Sequence, residues 1–232
     1  MAEILTGVTG LVLGACLFAG IHLLVAGTAL RETLIGAIGD KPYQGVFSLL
    51  SILGLVWLVY AYAGTSPEPL WCLPVALDPL FEVVILVAFI FFVAGLTVKN
   101  PTMMGGEGAL AQDNAATGFL RITRHPMMWG FTLWSGAHLL KNGDTRSVIL
   151  FGTLLLVALI GPGQIDKRRA AAMGESWRRF ASVTSNVPFL AIIQGRNSLK
   201  LGELGLWRLA LGLVLFGAAF YFHPQVTGVS LY

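Results

Sequence analysis

Two histidines lie in long apolar stretches of the sequence, where ionisable side chains are costly and usually functional. His22 lies nine residues before Arg31, and His138 lies twelve residues after Pro126. At 1.5 Å per residue, these counts predict depths of about 13 Å and about 18 Å from the same side of a membrane. Two neutral imidazoles at similar depth could hold one flat cofactor, and haem iron commonly takes imidazole ligands. We therefore predict His22 and His138 as haem ligands; the alternative is a pair of histidines that bond to neighbouring helices.

The residues around each histidine are compatible with a close-fitting ligand. The first histidine belongs to a stripe of small residues at helical spacing, which lets a helix or a flat macrocycle approach closely; the stripe is Ala15, Ala19, His22 and Ala26. Asn142 follows the second histidine by one helical turn. Its side-chain oxygen could accept the ring proton of His138 and fix the orientation of the imidazole.

A cationic cluster precedes the predicted fourth membrane helix. Arg121, Arg124 and His125 come just before Pro126, which is favoured in the first turn of a helix. Arginine presents a planar fork of donors, so this cluster could hold haem propionates, a phosphate or a carboxylate. The alternative is a helix entry with cytoplasmic positive charges.

The composition requires that membrane helices position these residues. The chain has 232 residues, 56% hydrophobic and 12% charged, whereas soluble domains carry about 25% charged residues. This excludes a soluble enzyme, a disordered chain and a nucleic-acid-binding domain. Cys16 and Cys72 form neither a CxxC motif nor a disulfide framework. We predict an all-α polytopic membrane helical bundle with about six transmembrane helices, built on the charge-poor stretches 4–30, 42–67, 83–98, 125–140, 147–165 and 209–232.

The distribution of basic residues predicts the orientation of these helices. Of the 15 Lys and Arg residues, 13 fall in the first, third and fifth connections. By the positive-inside rule these loops face the cytoplasm. The first apolar run lacks a basic leader region, so we expect it to be a retained helix. The fifth predicted span ends at Gly161-Pro162-Gly163, and the basic segment after it has helical composition and could bind anionic membrane lipid.

Several motifs together resemble the NnrU family of bacterial membrane proteins. The resemblance covers most of residues 10–190. We predict a single domain that comprises residues 1–232, in which the last helix, at 204–223, is an addition to the family's core. The central string runs from Arg121-x-x-Arg124-His125-Pro126-Met127-Met128-Trp129-Gly130 through Leu133-Trp134 to Ala137-His138-Leu139-Leu140-x-Asn142-Gly143-Asp144, and His22-Leu23, Leu30-Arg31 and Tyr43-Gln44-Gly45-Val46-Phe47-Ser48 fit the amino-terminal half.

This resemblance implies a protein of the bacterial inner membrane that is linked to nitrite and nitric oxide metabolism. Plastid relatives of the family, the 15-cis-zeta-carotene isomerases, depend on haem b. Their two proposed haem ligands match His22 and His138, and a further histidine matches His125. The resemblance thus implies haem b here, with a lipophilic polyene or nitric oxide as ligand. Ser135 replaces a cysteine that is thought to exchange with a haem ligand in the isomerases, which argues against a thiolate switch.

A weaker resemblance points to membrane methyltransferases of the isoprenylcysteine and phospholipid type. They share Arg124-His125-Pro126, followed after another span by an acidic residue, here Asp166, and an aromatic residue, here Trp177. It implies S-adenosylmethionine binding near these residues, although a lone aspartate replaces the usual paired glutamates. A third interpretation is a non-catalytic accessory protein for denitrification reductases.

Overall fold

The chain is built from α-helices, and a computed structural model describes residues 5–111 and 115–229. It is 76% helical, and the described residues contain no strand. The predicted all-α class is therefore confirmed. The helices are α1 Gly7–Ala19, which continues as a π-helix Gly20–Val25, α2 Leu30–Ile38, α3 Asp40–Ala63, α4 Asp78–Thr97, α5 Phe119–Ile122, α6 Pro126–Asn142, α7 Thr145–Val183, α8 Leu190–Ile193 and α9 Leu206–Thr227, with short 3-10 turns at Val75–Leu77, Glu107–Ala111 and Leu201–Glu203.

Five helical segments in the described part of the chain are long and apolar enough to cross a membrane: Gly7–Val25, Asp40–Ala63, Val75–Thr97, Thr145–Val183 and Leu206–Thr227. The fourth predicted span, 125–140, forms α6, which has only 17 residues, or about 26 Å at 1.5 Å per residue. This is the lower limit for crossing the hydrocarbon core. Helix α6 is bounded by Pro126 at its start and by Gly143, with φ +60°, after its end.

Helix α7 differs from the prediction that it would end at Gly161-Pro162-Gly163. Pro162 lies inside the helix, which continues past it to a break at Gly174, with φ 52° and ψ −121°, and a second helical piece follows this break to Val183. An apolar surrounding favours continuation, because every other backbone conformation would expose unpaired amide groups there. The predicted helical character of the segment after residue 166 is confirmed.

The chain divides into two compact units, and helices α6 and α7 contribute to both. Unit 1 comprises Met1–Asp78 and Ser135–Ile165. Here α1 packs closely on α3, because Gly14 and Gly54 present no side chain at the contact. A Cβ on Gly14 would lie 3.2 Å from the Leu58 Cα, and one on Gly54 would lie 3.7 Å from the Phe18 Cα.

Unit 2 comprises Pro79–Trp134 and Asp166–Tyr232. Its core includes a cluster of buried residues from α4 and α5, namely Phe91, Ala94, Phe119 and Ile122. Helix α9 packs on α4 through Phe216 and Phe89, whose ring centroids lie 6.3 Å apart. The single domain with an added last helix stays a prediction, which this division into units does not test.

Candidate functional site

His22 lies in the π-helix of unit 1 and is held by its own helix. Its Nδ1 lies 2.8 Å from the Phe18 carbonyl oxygen. Since a carbonyl only accepts hydrogen bonds, Nδ1 carries the proton and Nε2 of the neutral ring keeps its lone pair. The rings of Phe18 and Phe47 lie 4.2 Å and 5.4 Å from the imidazole. A histidine whose Nδ1–H is donated to a carbonyl presents Nε2 in the form that binds metals.

The π-helix that carries His22 ends inside the apolar segment, and donors from outside the helix satisfy its last carbonyls. The Ala26 amide donates to the Ile21 carbonyl at 3.0 Å, a π-type bond between residues five apart. The Leu23 carbonyl accepts from Nε2 of Gln164 on α7 at 3.0 Å. π-Helical turns inside α-helices occur frequently at functional sites.

His138 also belongs to unit 1, where it lies against aromatic rings. Its imidazole stacks on Phe151 with ring centroids 4.9 Å apart and planes 29° apart. Ser135 is completely buried one turn earlier. Asn142 is the exposed last residue of α6. Its role in orienting His138 stays a prediction.

The contacts of helix α3 show how far apart the two histidines lie. Phe47 contacts His22, whereas Tyr62 contacts Phe151, the residue that stacks on His138. Phe47 and Tyr62 are 15 residues apart on α3, or about 22 Å at 1.5 Å per residue.

Helix α7 gives the same result. Gln164 bonds to the residue after the first histidine, and Phe151 stacks on the second. These two residues of α7 are 13 apart, or about 20 Å. An imidazole nitrogen lies about 2 Å from a bound metal, so two histidines that hold one metal ion must bring their ring nitrogens to within about 4 Å of each other. These separations are between residues that the two histidines or their neighbours contact, and they argue against one haem iron bound by both histidines.

The predicted equal depth was counted from Arg31 and Pro126, which lie in different surroundings. Arg31 belongs to a separate helix, α2, which begins five residues after the π-helix ends. Pro126 is fully buried within unit 2. Counting from these positions therefore brought His22 and His138 to a common level that the contacts of α3 and α7 do not support.

In unit 2, the structure brings two residues of the predicted cationic cluster together on one carboxylate. The Arg124 Nε donates to Asp166 Oδ2 at 2.9 Å, and the His125 Nε2 lies 2.7 Å from Asp166 Oδ1. His125 is only 2% exposed, and this burial lowers the pKa of its imidazole against the opposing effect of Asp166. The contact is therefore a hydrogen bond from a neutral ring to the carboxylate. Arg124 also donates to the Thr184 carbonyl at 3.1 Å.

Arg121 faces a different carboxylate in the same unit. Its Nε and Nη2 groups donate to the two oxygens of Glu203 at 2.7 Å and 3.0 Å, and Nη1 donates to the Asn197 side-chain oxygen at 2.6 Å. The Gly118 amide also donates to Glu203 at 2.9 Å. These hydrogen bonds, chiefly those from Arg121, lower the pKa of Glu203 to about 2.

Comparison with known proteins identifies the family. The family described as NnrU protein matches residues 10–231. The chain belongs to the NnrU family. This NnrU protein is 29% identical to the 15-cis-zeta-carotene isomerase of Zea mays and 28% identical to that of Arabidopsis thaliana, both chloroplastic. The matches cover 92% of this chain but 59% of each relative, so the chain spans about three fifths of their length. No solved structure matches it.

The cationic cluster of this NnrU protein is a set of paired charges. Both arginines direct donors at carboxylates, which supply the negative charge that a haem propionate or a phosphate would bring. The sequence did not identify Glu203 and Asn197 as partners of this cluster. It indicated Asp166 only through the methyltransferase resemblance. One signal was available, because only three acidic residues occur after Asp144 and each lies among basic residues: Asp166, Glu175 and Glu203.

Metal-binding side chains are sparse in the described residues. They contain no group of three or more His, Cys, Asp or Glu side chains that could hold a metal ion. A haem, whose porphyrin supplies four of the iron ligands, needs only one or two protein ligands. The hydrogen bond from His22 Nδ1 to the Phe18 carbonyl leaves the Nε2 lone pair of this ring directed away from that carbonyl.

Proposed function

We propose that this NnrU protein is a membrane isomerase that acts on a long conjugated polyene of the zeta-carotene type inside the bilayer. The curated relatives are named for that activity, and the match includes most of this chain. Helices that are long and apolar enough to cross a membrane suit a substrate that is itself soluble only in lipid.

The proposed cofactor is haem b, bound through His22 alone of the two predicted ligands. The hydrogen bond from Nδ1 to the Phe18 carbonyl carries this proposal, since it makes Nε2 the available ligand nitrogen. When bound, haem supplies an iron centre that can polarise a double bond or bind nitric oxide. The chain itself orients the imidazole between Phe18 and Phe47 and excludes water with their rings. Ser135 offers no thiolate to the iron.

The test is the absorption spectrum of the protein purified in detergent from cells supplied with haem. We expect a Soret band and a pyridine haemochrome spectrum of type b. His22→Ala should abolish the band, whereas His138→Ala should keep it, and His223→Ala serves as a control outside unit 1. Loss of the band in both His22→Ala and His138→Ala would contradict the single-ligand proposal, and a wild-type protein without a band would contradict haem binding.

Activity needs a separate assay, because haem binding alone does not establish catalysis. Purified protein in liposomes is incubated with 15-cis-zeta-carotene, and the isomers are separated by chromatography. We expect conversion by the wild type and none by His22→Ala. Activity that is unchanged in His22→Ala would contradict a role for this residue in the reaction.

We also propose that the protein lies in the bacterial inner membrane with its first, third and fifth loops in the cytoplasm. The distribution of Lys and Arg supports this orientation. Cys72 lies exposed in the second connection, which the proposal places on the periplasmic side. In a Cys16→Ser variant, a membrane-impermeant maleimide should label Cys72 in intact spheroplasts. Labelling only after lysis would reverse the orientation.

A test of the proposed link to nitrogen-oxide metabolism can also distinguish a catalytic role from an accessory role. It rests on the family resemblance, and the test is a denitrifying strain that lacks the gene. If the protein acts through haem, wild type should restore nitrite and nitric oxide reduction and His22→Ala should not. Rescue by both would favour the non-catalytic accessory role.

A second candidate function is an S-adenosylmethionine-dependent methyltransferase. One observation favours it, because His125 and Asp166, which that resemblance brings together, lie 2.7 Å apart. The same carboxylate, however, is already bound by Arg124. Calorimetric titration with S-adenosylmethionine tests this function. Saturable binding that is lost in Asp166→Asn would support the methyltransferase function, and the absence of binding would contradict it.

A further inference from the structure

The backbone carbonyls at the end of the π-helix need hydrogen-bond donors from outside the helix, and Gln164 provides one of them. The last carbonyls of a helix have no partner in the helix, and an unpaired backbone group in an apolar surrounding costs several kcal/mol. Thr28 Oγ1 donates to the Leu24 carbonyl at 2.5 Å. The Leu23 carbonyl instead accepts from Nε2 of Gln164, which comes from a helix 141 residues further along the chain.

Gly27 makes room for this contact. A Cβ on Gly27 would lie 2.2 Å from the carboxamide carbon of Gln164. Because this distance is far below van der Waals contact, any larger residue at position 27 would displace the amide. Gly27 therefore leaves the space beside the π-helix that the side chain of Gln164 occupies.

The π-helix in turn sets the direction of the histidine. His22 lies inside the π-helix Gly20–Val25, so the wider turn of this helix determines the direction in which its side chain leaves the backbone. Leu23 directly follows His22, and the bond from Gln164 to the Leu23 carbonyl fixes the peptide between Leu23 and Leu24, one residue beyond His22 in the same π-helix. The His22 side chain is held at its other end by the Phe18 carbonyl.

We propose that Gln164 is a positioning residue, which stabilises the π-helix and thereby keeps the His22 imidazole in its Nδ1–H form with Nε2 free for a ligand. This inference rests on the proposed function for the identity of that ligand, haem. The positioning itself is a property of the apoprotein and can be measured without haem.

The closing experiment uses Gln164→Met, which keeps the length of the side chain and removes the donor. The control is Thr153→Val on the same helix, because Thr153 donates to the Ile149 carbonyl of its own helix. The first measurement is ¹⁵N NMR of apoprotein with labelled histidine at about pH 9, where an imidazole with a pKa of about 6.5 is neutral. We expect His22, assigned with His22→Ala, to be mainly the Nδ1–H tautomer in the wild type and in Thr153→Val. In Gln164→Met it should shift toward the Nε2–H form that prevails in water.

The second measurement is haemin titration of the same three proteins, followed at the Soret band. Gln164→Met should bind about tenfold more weakly, as is typical for loss of an outer-shell partner, while Thr153→Val should match the wild type. An unchanged His22 tautomer in Gln164→Met, or an equal shift in Thr153→Val, would overturn the proposal. A tautomer shift in a protein that binds no haem would keep the positioning role and contradict the haem proposal. If Gln164→Met does not fold, Gly27→Ala, which displaces the amide, replaces it with the same expected results.

Discussion

The polar groups around His22 in unit 1 and those around His125 in unit 2 are satisfied in different ways. Around His22 in unit 1, the polar partners are backbone carbonyls and neutral side chains, namely the Phe18 carbonyl and the amide of Gln164. In unit 2, Arg124 and His125 share the carboxylate of Asp166. A neutral imidazole bound at one nitrogen keeps the other for a ligand. A guanidinium bound to a carboxylate contributes instead to the stability of the fold.

This difference has an energetic reason. Removing one partner of a buried ion pair leaves the other charge buried and uncompensated, which lowers the free energy of unfolding by about 3–5 kcal/mol. A neutral hydrogen bond contributes about 1 kcal/mol. Unit 2 should therefore be sensitive to the loss of a single carboxylate, and unit 1 should tolerate the loss of a single hydrogen bond.

The largest effect is expected for Asp166→Ala. It leaves Arg124 and His125 without their shared acceptor, so the free energy of unfolding should fall by about 3 kcal/mol or more. The measurement is denaturant unfolding in detergent, followed by circular dichroism. Glu175→Ala is the control, because Glu175 forms an exposed pair with Arg178 on the same helix and should change stability by less than about 1 kcal/mol. Equal effects would show that the pair in unit 2 is not stabilising.

A pH-dependent effect is expected at Glu203, where hydrogen bonds from Arg121 lower the pKa to about 2. A carboxyl with a lowered pKa stabilises the fold fully above its unfolded pKa of about 4.3, and this stabilisation is lost as the pH falls toward about 2. The melting temperature of the wild type should therefore drop between about pH 5 and about pH 2.5. Glu203→Gln should start lower and drop less.

The control for this prediction is Glu32→Gln, since Glu32 is exposed and pairs with Arg31 on the surface. Its melting curve should follow that of the wild type at each pH. If Glu203→Gln loses stability in parallel with the wild type on acidification, other carboxylates cause the acid sensitivity and the role of Glu203 is contradicted.

The sequence predicted the fold well because apolar composition and helix length are local properties. It correctly indicated an all-α membrane protein, and it identified the NnrU family from the string around His125. It missed the continuation of α7 through Pro162, since a proline signals a break only where water can accept the freed carbonyl. It also gave α6 a full span, although Pro126 and Gly143 bound it at 17 residues.

The candidate site was harder to predict because its geometry depends on contacts between distant parts of the chain. Arg124 and Asp166 are 42 positions apart, and Arg121 and Glu203 are 82 apart. No spacing rule connects such pairs. The depth of His22 similarly depends on contacts with α3 and α7, which a count from the nearest charged residue does not include.

The smallest effect is expected for Tyr62→Phe in unit 1. Tyr62 and Asp166 are both half-buried, but the substitution of Tyr62 removes a neutral hydroxyl and no charge. The Tyr62 hydroxyl lies 3.2 Å from Ser147 Oγ, which also donates to Asp144 at 2.9 Å. Phenylalanine keeps the ring and leaves Ser147 with Asp144 as its partner, so only one neutral bond is lost. The free energy of unfolding should fall by about 1 kcal/mol, and Tyr60→Phe at an exposed position of the same helix should change it by less than about 0.5 kcal/mol. A loss in Tyr62→Phe as large as in Asp166→Ala would contradict the distinction between the units, because unit 1 would then also depend on individual buried polar contacts.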